Sequence, residues 1–194
     1  MVKKNIVKIP VEISARHIHL CQKDLEKLFG KNYKLKFLKK LSQADDFAAQ
    51  ETVTIIGPKG KIDNVRVVGP LRDQSQIEVS RTDGYKLGDI PPLRVSGDVV
   101  GSSPITLIGP KGKVDLKEGL ICAKRHLHIS PEEAEKLGLK NRQLVSVKIF
   151  GTRSLIFHDV IVRVKEGFKL ALHLDTDEAN AAWLEQGDEG ELIK

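Results

Sequence analysis

The sequence predicts a mainly β protein, built as small barrels or sandwiches in two closely packed subdomains. Three observations point there. Short β-branched runs recur along the chain and are broken by Gly and Pro turns. Two kinds of segment occur twice with nearly the same residue order. No low-complexity linker divides the 194 residues, a length that can bury a real core as one large domain or two small ones.

The elements follow in order. Residues 6–13 (Ile-Val-Lys-Ile-Pro-Val-Glu-Ile) alternate in the manner of a strand, not of a signal h-region. Arg16-His17-Ile18-His19 ends a strand, and the helical pattern after it has Cys21 in the cap position and Gly30 as its stop. The run 52–56 leads into Gly57-Pro58-Lys59-Gly60, and the run 105–108 into Gly109-Pro110-Lys111-Gly112. Both tetrapeptides read as hairpin turns. They lack the Gly-x-x-x-x-Gly-Lys-Ser/Thr order of a phosphate loop. Further strands are expected at 65–68, 76–79, 93–95, 120–123, 144–149, 156–164 and 170–174. Arg125-His126-Leu127-His128 repeats the first motif 109 positions after Arg16. Its helix begins with Ser130 as N-cap, Pro131 in the first turn and Glu133 completing a capping box, and Gly138 stops it. A last short helix is expected at 177–184, capped by Asp175 with Glu178 three residues on.

Composition narrows the classes. Hydrophobic residues are 40% and charged residues 30%, as in a soluble globular protein. No apolar run approaches the ~18 residues of a membrane span, so a cytoplasmic protein is expected. Cys21 and Cys122 cannot build a disulfide framework and read as reduced, packed thiols. The net charge of +6 favours anionic partners. Aromatics are only 5%, which argues against a base-stacking platform, and no dense Lys/Arg block stands out, which favours a small phosphate-bearing molecule over nucleic acid.

Four of the six histidines sit in the two His-x-His pairs. In extended chain, residues i and i+2 share a face about 6.5 to 7 Å apart. Two imidazoles so placed can close on one metal ion at roughly 2.0 to 2.1 Å each. The competing reading is a pair of half-buried histidines satisfied by backbone carbonyls. His173 is a reasonable third ligand for one pair, and Glu78 and Asp83 are candidates for the other, although Glu78 also reads as a solvent-facing carboxylate. His158 reads as structural or surface. Three protein ligands leave zinc an open position. Cobalt, manganese and iron also suit such donors. Arg72 follows a turn, where its guanidinium either clamps phosphate or pairs with Asp73 or Glu78.

Four segments together carry a family resemblance: Ser14 to His19 (Ser-Ala-Arg-His-Ile-His), Gly69 to Glu78 (Gly-Pro-Leu-Arg-Asp-Gln-Ser-Gln-Ile-Glu), Arg125 to His128 (Arg-His-Leu-His) and Ala171 to Asn180 (Ala-Leu-His-Leu-Asp-Thr-Asp-Glu-Ala-Asn). In this order they resemble the PduL-type phosphotransacylases, the phosphate propanoyltransferases of propanediol utilisation. The resemblance implies two packed small β-barrels capped by short α-helices, with the first strand joining the C-terminal barrel. On this chain the barrels would be 1–15 with 124–194, and 16–123. It implies interconversion of acyl-CoA plus phosphate with acyl phosphate plus CoA, using two zinc ions. His17, His19 and Glu78 would hold one zinc, and His126, His128 and His173 the other. Arg72 would be catalytic as the phosphate-binding arginine. Ser14, Ala15, Arg16, Lys39, Arg66 and Asn180 would contact CoA. The expected partners are CoA or acyl-CoA and phosphate or acyl phosphate, with no nucleic acid, no membrane, and a second copy of the chain in a homodimer. Members housed in microcompartments carry an amphipathic N-terminal extension. Here the first strand starts close to Met1, so no such extension is expected, and acetyl-CoA is as compatible as propanoyl-CoA.

The expected chemistry places the CoA sulfur on the first zinc as thiolate, uses the second as a Lewis acid, and transfers the acyl group directly. Two rival readings fit the same residues: a two-metal hydrolase of phosphate or thioester substrates, and a basic nucleic-acid-binding barrel protein with structural zinc.

Overall fold

The computed structural model describes residues 7–43 and 45–193, so the basic start of the chain and the first residue of the expected strand at 6–13 lie outside the described residues. The elements are β1 (Lys8–Ser14), β2 (His17–His19), α1 (Gln22–Phe29), β3 (Phe37–Lys40), β4 (Phe47–Ile56), β5 (Lys61–Gly69), β6 (Gln76–Glu78), α2 (Arg81–Leu87), β7 (Leu93–Arg94), β8 (Ser103–Ile108), β9 (Lys113–Ala123), β10 (His126–Ile129), α3 (Pro131–Leu137), β11 (Leu144–Ile149), β12 (Leu155–Val164), β13 (Ala171–Asp175), α4 (Thr176–Ala181) and β14 (Glu189–Ile193). They form two compact units, residues 7–14 with 124–193, and residues 15–123. The mainly β, two-barrel expectation holds.

In the unit made of both chain ends, six strands close in the order β1-β13-β10-β12-β11-β14. β1 runs parallel to β13 and antiparallel to β14. Alternation explains its seat: Ile9 and Val11 turn into the core while Lys8 and Pro10 turn out. Leu127, Val147, Val162 and Leu172 complete a dry centre. Each such fully buried aliphatic side chain contributes about 1.5 to 3 kcal/mol.

In the other unit β8 bonds both β4 and β9, which closes β4, β5, β2, β6, β9 and β8 into a ring. β3 is added beside β4, and β7 beside β9. Ile18, Val67, Ile77, Leu107 and Leu120 fill its centre with no exposure. The two Gly-Pro-Lys-Gly segments are the hairpin turns expected, each closed by a bond from its first glycine N–H to its last glycine C=O at 2.9 Å. Each also docks on a helix end. Lys59 N–H donates to Leu87 C=O at the end of α2, and Lys111 N–H to Leu28 C=O near the end of α1. A Cβ on Gly57 would lie 2.5 Å from Leu87 O, and one on Gly109 2.6 Å from Leu28 O, so glycine permits this approach.

Strand β1 precedes β2 in the chain but completes the barrel that contains β10. Strand β9 precedes β10 but completes the ring that contains β2. Each strand carrying a His-x-His pair is thus preceded in the chain by a strand lent to the other unit.

Among the described residues, each of the four helices closely follows a short strand, with Cys21, Ser80, Ser130 and Asp175 as the N-caps. Ser80 accepts from Asp83 N–H, Ser130 from Glu133 N–H, and Asp175 from Glu178 N–H. Asp175 and Glu178 form the full reciprocal box. At Ser130 the expected box is half formed, because Glu133 Oε2 takes the cap hydroxyl at 3.0 Å instead of the cap N–H. Cys21 makes no side-chain cap bond. The last helix ends at Ala181, three residues before the expected 184.

Candidate metal centres

The strands that lead into the helices pair antiparallel within each unit, and that pairing assembles two clusters. In β2 and β6 the register sets His17 opposite Glu78, Ile18 opposite Ile77 and His19 opposite Gln76. In β10 and β13 it sets His126 opposite His173, Leu127 opposite Leu172 and His128 opposite Ala171. The middle residue of each strand is fully buried in its barrel core. Alternation then turns the flanking side chains onto the opposite face together, with directly opposed Cβ atoms about 4.5 to 5.5 Å apart. The donor atoms of His17, His19 and Glu78 all lie within 4.8 Å of one another, and so do those of His126, His128 and His173. A tetrahedral zinc with bonds of 2.0 to 2.1 Å needs donors about 3.3 Å apart, so a small closure completes either set.

Hydrogen bonds orient the rings. His17 Nδ1 lies 2.9 Å from Ala15 O, His19 Nδ1 3.1 Å from Val68 O, and His126 Nδ1 2.9 Å from Lys124 O. A carbonyl only accepts, so each Nδ1 is the donor, and in a neutral ring so held Nε2 is the nitrogen with the lone pair. His128 has both ring nitrogens buried without a hydrogen-bond partner, and its ring stacks on Phe168 at 3.8 Å between centroids. A buried imidazole with no partner costs free energy unless something else satisfies it, and a metal ion does so. Burial, then the neighbouring His17 and Arg72, depress the His19 pKa to about 2. Burial, then His173 and His126, also depress that of His128. Both rings are therefore neutral at physiological pH, the form a metal requires.

Arg72 adjoins the first cluster. Its backbone N–H donates to Leu20 C=O at 3.0 Å, and its Nη1 lies 3.5 Å from Ser96 Oγ. Burial depresses its pKa, opposed by Glu78 and Asp46, and a guanidinium so placed stays cationic.

The remaining expected site residues are distributed as follows. Asp83, the alternative to Glu78, is not in the first cluster; Arg16 Nε donates to its two carboxylate oxygens at 3.0 and 2.9 Å. Arg66 lies beside His17 in the β2–β5 register and donates to Ala49 C=O and Gln50 C=O at 3.1 and 2.8 Å. Lys39 is exposed on β3, and Ala15 is exposed before β2. In the other unit Ser14 is the register partner of Asp175, and Asn180 is exposed on α4. His158 is in neither cluster; its Nδ1 lies 2.8 Å from Ser146 Oγ on the adjacent strand. Cys21 and Cys122 are not joined in a disulfide.

Two contacts of the clusters escape the sequence reading. Gln76 precedes Glu78 by two residues as His17 precedes His19, a signal visible once Gln-Ile-Glu is aligned with His-Ile-His. Ser96 touches Glu78 from a turn that carries no pattern of its own.

Two barrels, each carrying a three-donor cluster on paired strands, define a β-barrel protein with two candidate metal centres. Comparison with known proteins places it more closely. Residues 10–185 match the family model described as Phosphate propanoyltransferase. A phosphate propanoyltransferase of Thermotoga maritima is 52% identical over 181 residues, covering 93% of this chain and 86% of that protein. One of Priestia megaterium is 52% identical over 184 residues, covering 95% and 85%, and one of Lachnoclostridium phytofermentans is 53% identical over 175 residues, covering 90% and 82%. The chain belongs to the phosphate propanoyltransferase family and is an acyltransferase.

Proposed function

We propose that this enzyme interconverts acyl-CoA and phosphate with acyl phosphate and CoA, with propanoyl or acetyl as the acyl group and one zinc ion at each cluster. The convergence of His17, His19 and Glu78 beside a half-buried arginine carries this reading. In the forward direction the acyl C–S bond breaks, a C–O bond to phosphate forms, and the phosphate proton ends on the CoA sulfur.

His17, His19 and Glu78 would hold one ion, and His126, His128 and His173 the other. When bound, the ions supply positive charge, which lowers the thiol pKa of CoA from about 8.5 at the first centre and polarises acyl or phosphate oxygens at the second. Neutral imidazoles with one carboxylate leave the first centre cationic, and three donors leave a position for an incoming ligand. Arg72 offers a planar fork to phosphate and orients it for attack. In the 15–123 unit Arg16, Lys39 and Arg66 would supply positive charge for the phosphates of CoA, and Ala15, next to Arg16 in the chain, would also contact it. Ser14 and Asn180 give the other unit two polar contacts. Cys21 is committed to Asp24 at the head of α1 and Cys122 is buried, which favours direct transfer over an acyl-enzyme.

The test is release of free thiol from acetyl-CoA and propanoyl-CoA, with and without phosphate, on protein of known metal content. Thiol release that requires phosphate supports the transferase. Release by water alone would make the protein a two-metal hydrolase. No release, with salt-dependent binding to nucleic acid, would make the zinc structural.

A further inference from the structure

The Glu78 carboxylate is held asymmetrically. Its Oε1 accepts from Ser96 Oγ at 2.6 Å and from Gln76 Nε2 at 2.6 Å. Its Oε2 faces His17 Nε2 at 3.8 Å. Gln76 is itself anchored: its Oε1 accepts from Gly97 N–H at 2.7 Å, and its Nε2 lies 3.3 Å from Ser96 Oγ. Ser96 and Gly97 are the middle residues of a turn closed by Asp98 N–H donating to Val95 C=O at 2.9 Å. Gly97 has φ of 100°, a conformation suited to glycine, and it aims its N–H at the glutamine. The turn is fixed by β7, whose Leu93 and Arg94 pair with Cys122 and Ala123 of β9. Gln76, Glu78 and Ser96 are 2%, 7% and 9% exposed, so water does not compete for these bonds. In the other unit, Ala171 and His173 stand where Gln76 and Glu78 stand here, so this device serves the first cluster alone.

We propose that Ser96, acting with Gln76, is a positioning residue of the first metal centre: it occupies Oε1 of Glu78 and so presents Oε2 as the single carboxylate oxygen offered to the ion held with His17 and His19. This rests on the reading of that cluster as a metal site. A carboxylate free to rotate would also offer both oxygens at once and fill the position that the substrate needs. Two short donors on Oε1 keep the ligand monodentate and that position open. Outer bonds of this kind commonly alter metal affinity by about 10- to 100-fold.

The experiment is chelator competition and cobalt substitution on wild type, Ser96→Ala, Ser96→Thr and Gln76→Met. Wild type should bind two ions. In Ser96→Ala the first should leave about 10- to 100-fold more readily and its visible cobalt bands should shift, while the second is retained as in wild type. Ser96→Thr keeps the hydroxyl and should restore both readouts. Gln76→Met should move them in the same direction as Ser96→Ala, and decides the matter if Ser96→Ala does not fold. Wild-type protein that binds no ion would remove the metal reading itself. Two ions in every variant, with unchanged release and unchanged cobalt bands, would overturn the role of Ser96 and leave the metal reading standing.

Discussion

Arg16 and Asp83 tie the strand that carries His17 and His19 to the helix that follows Glu78. Arg125 and Glu178 repeat the relation: Nε meets Oε1 at 2.6 Å, joining the strand of His126 and His128 to the helix after His173. In both cases the arginine directly precedes the His-x-His pair, and the acid lies three residues beyond the cap. Each pair thus braces the two ligand strands of one cluster. Asp83→Ala should lower the unfolding free energy measured by urea titration by no more than about 1 kcal/mol, since Arg16 is 46% exposed. It should also speed loss of metal from the first centre only. Equal loss from both centres would show a general effect on folding.

Replacing His17 and His19 together by alanine should remove one of two metal equivalents. The clusters lie on different strand pairs and share no donor, so the second should retain its ion. Elemental analysis of the purified variant checks this. Retention of both ions would remove these residues from the ligand set.

Arg72→Ala should raise the phosphate concentration needed for half-maximal rate by roughly ten- to a hundredfold, the loss of a charge-assisted contact of about 1.5 to 3 kcal/mol. The CoA requirement should change far less. An unchanged phosphate dependence would separate Arg72 from phosphate binding.

The metal-free protein should lose stability on mild acidification. An unfolded histidine titrates near 6.5, whereas burial holds His19 down to about 2 and depresses His128 in the same direction. Below pH 6.5 the unfolded chain therefore takes up protons that the folded chain refuses. The stability these rings contribute is complete above that pH and declines as the pH falls toward their folded values. Each ring adds a slope of up to about 1.4 kcal/mol per pH unit. Urea titrations between about pH 8 and pH 5 should show a plateau and then a fall, and a flat profile would contradict the burial argument.

Trp183→Gly should raise the melting temperature. Gly88, Gly138 and Trp183 each lie eight residues after a helix cap, and all three are left-handed, with φ of 81°, 62° and 58°. Each next residue donates back into the helix: Asp89 to Gly84, Leu139 to Ala134, Leu184 to Ala179. The tryptophan alone bears the steric cost of that conformation, about 1 to 2 kcal/mol, and at 69% exposure its ring gains little from packing. A lower melting temperature would mean that the indole is covered in the working assembly.

The parts of this molecule that were legible in its sequence are the ones governed by local rules. His-x-His on alternating strands, the Ser130 and Asp175 caps and the Gly-Pro-Lys-Gly hairpins each depend on residues a few positions apart. The helix Arg81–Leu87 escaped because Thr82 and Gly84 are poor helix formers, although Ser80 and Asp83 carry the cap signature. Strand β3 escaped because all four of its side chains are exposed, which erases the alternation. Strand β14 escaped because its inward position 190 is a glycine, and a Cβ there would sit 2.5 Å from Val147 Cγ1. Nothing local could pair His126 with His173 or bring Ser96 to Glu78, since those meetings are made by the long-range register of the sheets. Of the exchange of strands, only the place of the first strand in the C-terminal barrel entered, and it did so through resemblance and not through any pattern of residues.

That exchange orders the molecule in time. Synthesis runs from the N-terminus, so β1 is made long before its partners β13 and β14, with the whole 15–123 unit between them. The ring built from residues 15–123 has all its strands once β9 has left the ribosome, while β1 must wait with Ile9 and Val11 uncovered until those partners arrive. A nascent chain stalled shortly after β9 would hold one finished barrel and one orphaned greasy strand, a natural target for a chaperone.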